Sequence, residues 1–154
     1  RPGEARGAKK SEFDMENKTW TVPAERMKMR REHKIPLSRQ AMEIVEENWS
    51  QIDEVQLIFP SLVSTRKRLS ENAFNTVLRR IGYSGEEMTA HGFRATASTI
   101  LNSREYNPDV IEAVLAHQDP NAIRRTYNRT TYWDQRVNLM QDWADLCDEL
   151  RAMK

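Results

Sequence analysis

The chain has 154 residues, which is enough for one domain with its own hydrophobic core. Hydrophobic residues make up 38% of it and charged residues 31%. No stretch of about 18 apolar residues occurs, which excludes a transmembrane helix. The only cysteine is Cys147, which excludes an internal disulfide and a cysteine-rich metal site.

The net charge is only +1, but the charges are unevenly distributed. Residues 26–39 contain six Lys or Arg and one acid, whereas residues 41–63 contain five acids and no Lys or Arg. Further basic clusters lie at residues 66–68, 79–80 and 124–125. One surface that faces phosphate groups would explain this asymmetry, but from charge alone ordinary solvated side chains are the simpler explanation.

The first quarter of the chain predicts a short helix followed by three strands. Pro2 and Glu4 suit the first turn of a helix. Residues 26–31 predict a basic hairpin tip between the last two strands, and His33 is expected to be a surface imidazole. The predicted strands are residues 12–14, 19–22 and 34–37.

Two helices are predicted next, with a loop between them. Ser38 is expected to cap the first helix, and Gly82 is expected to stop the second. Residues 61–70 predict a polar, basic loop. The apolar stripes expected to be buried are Ala41, Ile44, Val45 and Trp49 in the first helix, and Ala73, Phe74, Val77, Leu78 and Ile81 in the second.

Helices dominate the second half. One helix follows Thr89 and one begins at Pro108, with His117 near its end; residues 121–126 predict a short helix, and a long helix runs from Thr131 almost to the terminus. The apolar residues expected to face a core are Phe93, Ala97, Ile100 and Leu101, then Val110, Ile111, Val114 and Leu115, then Tyr132, Trp133, Val137, Met140, Trp143, Ala144, Cys147 and Leu150.

Four residues in this half suit chemistry on a phosphodiester. His91 and Arg94 are three residues apart and would point from one face of a helix. An arginine offers a planar fork of donors that fits phosphate oxygens, and a histidine such as His117 can move or donate a proton near neutral pH. The hydroxyl of Tyr127 could act as a nucleophile beside a base and cationic groups.

The order and spacing of these residues resemble the active site of the tyrosine recombinases of the phage integrase type. The resemblance rests on His91-Gly92-Phe93-Arg94, on Leu115-Ala116-His117, and on Tyr127 ten residues after His117. Arg1-Pro2-Gly3-Glu4 also matches the box that carries the first arginine of the family, with Glu4 as the structural acid. Ala116 stands where many relatives have glycine. The variant with Leu-Ala-His is similar to the integrases of satellite phages and genomic islands.

The resemblance implies a role for each of these side chains. Tyr127 would be the nucleophile, Arg1 and Arg94 would bind the non-bridging phosphate oxygens, and His91 and His117 would move a proton and hydrogen-bond the phosphate. Lys28, eight residues before Pro36, would be the general acid, with Lys34 and the neighbouring arginines as competitors. The expected DNA contacts are Arg26, Arg30, Arg31, Arg66, Lys67 and Arg68, although a mobile solvated loop would explain the last three equally well.

The resemblance also implies the fold and the biology. The fold would be α+β and mainly helical, the recombinase catalytic domain with a small antiparallel three-stranded sheet. Residues 1–154 would be the C-terminal catalytic domain of a longer integrase, whose N-terminal DNA-binding domains lie outside this fragment. It would recombine double-stranded DNA attachment sites as a homotetramer in the bacterial cytoplasm, associated with the nucleoid, with no cofactor, no metal and no membrane.

Two alternatives remain open from the sequence. A type IB topoisomerase uses the same chemistry, and a DNA-binding module could keep the fold without catalysis. The C-terminal helix either packs on its own domain or contacts a neighbouring protomer. The attachment site and the direction of recombination cannot be read from the sequence.

Overall fold

The computed structural model describes residues 1–28, 30–49, 57–61, 63–117 and 132–153. The described part is α+β and mainly helical, as expected. Its helices are α1 (Pro2–Arg6), α2 (Arg39–Trp49), α3 (Ala73–Arg80), α4 (Gly92–Ser103), α5 (Pro108–Val114) and α6 (Trp133–Ala152). Its strands are β1 (Phe13–Asp14), β2 (Thr19–Val22), β3 (His33–Pro36), β4 (Pro60–Ser61) and β5 (Ser64–Arg68). Short 3-10 turns lie at Lys10–Glu12 and Ala24–Arg26.

The three-stranded antiparallel sheet predicted from the sequence is present, in the order β1-β2-β3. Trp20 pairs with Phe13 on one side and with Ile35 on the other. The rings of Phe13 and Trp20 stack with their centres 5.3 Å apart. The β-branched and aromatic residues of β2 made this strand readable, because such side chains favour the pleated, half-buried surface of a sheet. Strand β3 begins one residue earlier than predicted, at His33.

The prediction of a loop over residues 61–70 is wrong. Strands β4 and β5 form an antiparallel hairpin, in which Pro60 pairs with Arg68 and Ser61 pairs with Ser64. The strand was missed because Arg66, Lys67 and Arg68 carry no apolar alternation. Their side chains are exposed, and the backbone of this strand pairs with that of β4.

The apolar stripe predicted for α2 is correct only in part. Ser38 caps the helix as expected, because its Oγ accepts from the backbone N–H of Ala41 at 3.3 Å. Val45 is buried, but Ile44 is half exposed, and Met42 takes the second buried position. Both residues are apolar, and only the neighbouring elements decide which of them is covered.

The stripe predicted for α3 is only partly covered. Leu78 is its buried residue, whereas Ile81, just past the helix end, is 64% exposed. Phe93 on α4, predicted to face a core, is 54% exposed. These side chains line an apolar groove of about 560 Å³, which Arg1 and Arg94 also line.

The main hydrophobic cluster joins the last three helices. Its buried residues come from α4, from α5 and the residue that follows it, and from α6: Leu101, Val110, Ile111, Leu115 and Leu139. A second cluster, with Ala8, Val45 and Ile58 buried, packs against Phe13 and Trp20 of the sheet. The inward side of α5 was predicted correctly, and Asn107 caps this helix at the residue before Pro108.

Helix α6 packs on its own domain, but not through the whole stripe predicted from its sequence. Its buried residues are Arg136, Leu139 and Leu146, whereas Val137, Cys147 and Leu150 are exposed. The helix contacts α5, α2 and β3. Within the described ranges, none of the helices combines the length and the hydrophobicity that crossing a bilayer requires.

Candidate active site

Two arginines that are far apart in sequence meet at the C-terminal end of α5. Nη2 of Arg94 donates a hydrogen bond to the carbonyl oxygen of Leu115. Nη2 of Arg1 donates to the next carbonyl oxygen, that of Ala116, at 3.3 Å. Two adjacent peptide carbonyls therefore hold both guanidinium groups beside His117, which follows directly in the chain.

The backbone conformation of Ala116 is what ends α5. Its φ of 49° lies in the left-handed region. The N–H of His117 donates to the carbonyl of Glu112 at 3.0 Å, and the N–H of Ala116 donates to that of Ala113 at 3.2 Å. These two bonds are those of a Schellman motif, in which glycine is the usual residue at the left-handed position. Position 116 thus has a conformation that glycine adopts more readily than alanine.

Glu4 fixes the first of the two arginines. Nη1 of Arg1 donates to Oε1 of Glu4 at 2.9 Å, and the backbone nitrogen of Arg1 donates to Oε2 at 3.1 Å. Burial opposes ionisation of Glu4, but the positive charge of Arg1 outweighs it, and the pKa of the carboxyl is lowered. Glu4 is therefore an ionised partner of Arg1 at neutral pH, as its assignment as the structural acid requires.

The two guanidinium groups make the site electropositive. Partial burial, followed by repulsion from the charge of Arg1, lowers the pKa of Arg94. The hydrogen bonds to neutral carbonyls remove none of this positive charge, whereas the ionised carboxylate of Glu4 offsets part of that of Arg1. An anion between the two groups would relieve the repulsion, and planar guanidinium groups suit the oxygens of a phosphate.

The two histidines of the predicted site lie at helix ends. His91 is exposed and precedes α4, so it is one turn from Arg94 on the same element. His117 is 43% exposed on its side chain, and its Nδ1 lies 2.8 Å from Oε2 of Glu112. This contact leaves Nε2 as the ring nitrogen of His117 that can face a ligand, since Nδ1 is held by the carboxylate.

The basic residues around Lys28 differ in their environment. Lys28, Arg30 and Arg31 are exposed after the 3-10 turn Ala24–Arg26. Their positions therefore allow the predicted roles as general acid and as DNA contacts. Arg66, Lys67 and Arg68 are likewise exposed, but on strand β5. Alternation along a strand places Arg66 and Arg68 on one face and Lys67 on the other.

Arg26, predicted as a DNA contact, has a largely covered side chain whose guanidinium binds groups of its own domain. Its side chain is 12% exposed, and Nη1 donates to the carboxylate of Glu12 while Nη2 donates to the backbone carbonyl of Glu4. Glu12 also accepts from the indole N–H of Trp20 at 3.0 Å. Arg26 thus joins α1 to the sheet, and its guanidinium is already occupied. The basic run around it concealed this role, because composition does not separate inward from outward arginines.

His33 was predicted to be a surface imidazole, and this is wrong. The residue is half buried in β3, and its Nε2 lies 3.4 Å from the carbonyl oxygen of Val114. Burial, followed by the charge of Arg136, lowers the pKa of His33. The ring is therefore neutral at neutral pH. No local signal in the sequence would have indicated this, because the residues that cover the ring come from α5 and α6.

The predicted nucleophile Tyr127 lies outside the described residues, as do Arg124, Arg125 and the short helix predicted at residues 121–126. The structure describes both neighbours of this segment, His117 before it and Tyr132 after it. Of the six predicted catalytic side chains, it brings Arg1, Arg94 and His117 to one turn at the end of α5. His91 directly precedes the helix that carries Arg94, and Lys28 is on the connection between β2 and β3.

The family model that describes the phage integrase family matches residues 1–133. The chain therefore belongs to this family of tyrosine recombinases. Among curated relatives, it is 44% identical to the prophage integrase IntA of Escherichia coli K12 over 146 residues, which cover 95% of this chain and 35% of the relative. It is 38% identical to the integrase of Shigella phage Sf6 over 150 residues, covering 97% of this chain and 39% of that protein.

The integrase of Enterobacteria phage P4 is 37% identical over 163 residues, which cover 96% of this chain and 37% of the phage protein. The resemblance to prophage and satellite-phage integrases is thereby confirmed. The chain spans somewhat more than a third of the length of these relatives. No solved structure matches it.

Proposed function

We propose that the chain is the catalytic part of a site-specific DNA recombinase, an integrase that cuts and rejoins DNA to integrate or excise a mobile element. The observation that carries this proposal is the meeting of Arg1 and Arg94 at the carbonyls of Leu115 and Ala116. These two carbonyls belong to the residues one and two positions before His117, and Tyr127 follows His117 by ten residues in the chain.

The proposed reaction starts with attack of the Tyr127 hydroxyl on the scissile phosphate. His91 takes the phenolic proton, and the bond from phosphorus to the 5′ oxygen breaks as the bond to tyrosine forms. Lys28 donates a proton to the leaving 5′ oxygen, which gives a 3′-phosphotyrosine link and a free 5′-hydroxyl. The covalent link conserves the energy of the phosphodiester, so resealing needs no cofactor.

Arg1, Arg94 and His117 stabilise the charge that develops on the non-bridging oxygens. The arginines are held in place before DNA binds, since Glu4 and two backbone carbonyls hold them. Donors that are already oriented cost little reorganisation in the transition state. In the DNA complex, the phosphate oxygens take up the guanidinium donors that the two carbonyls leave free.

The proposed DNA surface comprises the exposed cations on two elements. Arg30 and Arg31 lie on the connection between β2 and β3, and Arg66, Lys67 and Arg68 lie on β5. Arg26 is left out of this surface because its guanidinium binds Glu12 and Glu4. Contacts of exposed lysines and arginines with phosphates would supply most of the affinity, which therefore falls as salt rises.

We also propose that these residues form the C-terminal catalytic domain of a longer integrase, with DNA-binding domains on the N-terminal side. The relatives are nearly three times as long as the segments that match this chain. The exposed apolar groove beside Arg1 supports this arrangement, because such a surface is usually covered in the whole protein. A homotetramer would act on two attachment sites in the bacterial cytoplasm, on nucleoid DNA, and the exposed Val137 and Leu150 of α6 are candidate protomer contacts.

A nicked duplex that carries the attachment sequence of the element tests the proposal. Cleavage close to the nick releases a short fragment, so the covalent protein–DNA adduct accumulates. We expect an adduct with the wild-type protein and none with Tyr127→Phe, because phenylalanine lacks the attacking oxygen. Tyr83→Phe, which changes an exposed tyrosine outside the site, serves as the control and should form the adduct normally.

The same assay separates the alternatives. Specific DNA binding without an adduct in the wild type would identify a DNA-binding module without catalysis. An adduct on duplexes without the attachment sequence, together with relaxation of supercoiled plasmid, would identify a type IB topoisomerase. Either result would contradict the proposed integrase.

A further inference from the structure

Glu4 of α1 is bound to two arginines at once, to one through its side chain and to the other through its backbone. Its carboxylate accepts from Nη1 of Arg1 at 2.9 Å. Its backbone carbonyl oxygen accepts from Nη2 of Arg26. Glu4 is 8% exposed, so water has little access to it. The position of the Arg1 guanidinium is thus connected through this one residue to the position of Arg26.

The three-stranded sheet fixes the Arg26 guanidinium on its other side. Nη1 of Arg26 donates to both carboxylate oxygens of Glu12, whose side chain is 7% exposed. The same carboxylate accepts from the indole N–H of Trp20 at 3.0 Å. Trp20 lies in β2, the middle strand of this sheet. A covered ion pair with a second donor therefore attaches Arg26 to the centre of the sheet.

Gly7, the residue after α1, lies directly against the same guanidinium. A Cβ atom at this position would lie 2.9 Å from Nη2 and 3.3 Å from Cζ of Arg26, and the first distance is too short for a real contact. The φ of Gly7 is −109°, which any residue can adopt. Glycine is therefore favoured here by the close approach of Arg26 to α1, and not by the backbone conformation.

Helix α1 depends on such contacts for its position. It has only five residues, far fewer than a helix that is stable by itself. At its C-terminal end, Nη1 of Arg6 donates to the carbonyl oxygen of Leu69 at 2.8 Å. The bond from Arg26 is made in the middle of the helix, at the residue whose carboxylate binds Arg1. The planar guanidinium fork can reach Glu4 and a second acceptor at once, which a single ammonium cannot do.

We propose that Arg26 is a positioning residue, which holds Glu4 against the sheet and thereby sets the place of the Arg1 guanidinium beside Arg94. This inference rests on the proposed function, in which Arg1 binds the scissile phosphate. Arg26 acts through Glu4 and Arg1, and its own guanidinium binds no phosphate. Its contribution therefore appears in the cleavage rate and not in DNA affinity.

The first test is Arg26→Lys, which keeps a positive charge for Glu12 but leaves the carbonyl of Glu4 without its donor. We expect single-turnover cleavage of the nicked attachment-site duplex to be roughly 10- to 100-fold slower, the loss that a displacement of about 1 Å can cause. The thermal midpoint should stay close to that of the wild type. Arg151→Lys, which changes an exposed arginine on α6, is the control and should match the wild type in both measurements.

Gly7→Ala disturbs the same contact from the side of α1. The added methyl group displaces the Arg26 guanidinium, whereas the backbone at this position suits alanine. This variant should therefore slow cleavage in the same way. Hydrogen exchange gives a readout that does not need catalysis: the backbone amides of residues 4–6 should exchange faster in Arg26→Lys and in Gly7→Ala, and at the wild-type rate in Arg151→Lys.

Binding measurements separate positioning from direct contact with DNA. The double variant Glu12→Gln with Arg26→Met keeps the net charge and leaves no buried carboxylate unpaired. Its DNA dissociation constant and the salt dependence of that constant should equal those of the wild type. Arg31→Met, which changes an exposed arginine of the proposed DNA surface, should bind more weakly, with a salt slope smaller by about one.

Three results would overturn the proposal. The first is cleavage by Arg26→Lys at the wild-type rate, and the second is slow cleavage without faster exchange in α1. The third is a double variant that loses affinity and salt dependence as Arg31→Met does, because Arg26 would then be a DNA contact. If the wild type and Arg151→Lys form no Tyr127-dependent adduct, it is the proposed function that fails, and the exchange of the α1 amides still tests whether Arg26 holds this helix.

Discussion

Ala116 occupies the residue after the end of α5, where the backbone turns into the left-handed region with a φ of 49°. This turn presents the carbonyls of Leu115 and Ala116 to Arg94 and Arg1. Glycine adopts this conformation freely, whereas the Cβ of alanine meets the neighbouring carbonyl oxygen. The residue that joins the two arginines is therefore also a site of local strain.

We expect Ala116→Gly to raise the free energy of unfolding by about 1 kcal/mol, because it removes this strain. Urea denaturation at neutral pH measures the change. The matched control is Ala113→Gly in the body of α5, which should lower stability by about 0.5–1 kcal/mol, since glycine there only adds backbone freedom to the unfolded chain. If both variants were destabilised to the same extent, the left-handed strain at Ala116 would be refuted.

At the scale of the elements, α6 is the helix that closes the main hydrophobic cluster. Leu139 is buried among residues of α4 and α5, and Leu146 lies further along the same helix. Polar contacts join α6 to α2, with Gln40 donating to Asp145 at 2.7 Å and to Asp148 at 2.8 Å. Of the two roles considered for this helix from the sequence, packing on its own domain accounts for the buried residues.

We expect Leu139→Ala to lower the free energy of unfolding by about 2–5 kcal/mol, the usual cost of emptying a fully buried leucine site. The same change at Leu150, which is half exposed on the same helix, should cost less than about 1 kcal/mol. Denaturant titration of both variants gives the two values. Equal losses would mean that α6 does not contribute to the core through Leu139.

At the scale of the whole molecule, the local elements could be predicted from the sequence, and the side-chain environments could not. Strand β2 and the start of α5 at Pro108 follow from the backbone preferences of their own residues, so both could be predicted from the sequence. The hairpin of β4 and β5 was not, because its pairing is between backbones and its side chains are charged. Which side of α3 is covered depends on distant parts of the chain.

For the candidate site, too, the sequence predicted the residues concerned but not the environments of their side chains. The order of the motifs predicted a set of site residues, and two of them, Arg1 and Arg94, converge on the turn that precedes His117. The structural roles of Arg26, His33 and Arg136 were missed, because their partners are backbone carbonyls, which carry no sequence signal, and residues of distant elements. An arginine that binds a carbonyl looks the same in a sequence as an arginine that binds a phosphate.

The central claim is that the two guanidinium groups at the end of α5 act on a phosphate in the transition state, and cleavage by Arg94→Ala tests it most directly. We expect no detectable adduct on the nicked attachment-site duplex, while the DNA dissociation constant rises by less than about tenfold, because one phosphate contact is a small share of DNA affinity. Arg104→Ala, an exposed arginine just past the end of α4, should behave like the wild type. Adduct formation by Arg94→Ala at the wild-type rate, or a loss of binding as large as the loss of cleavage, would contradict the account.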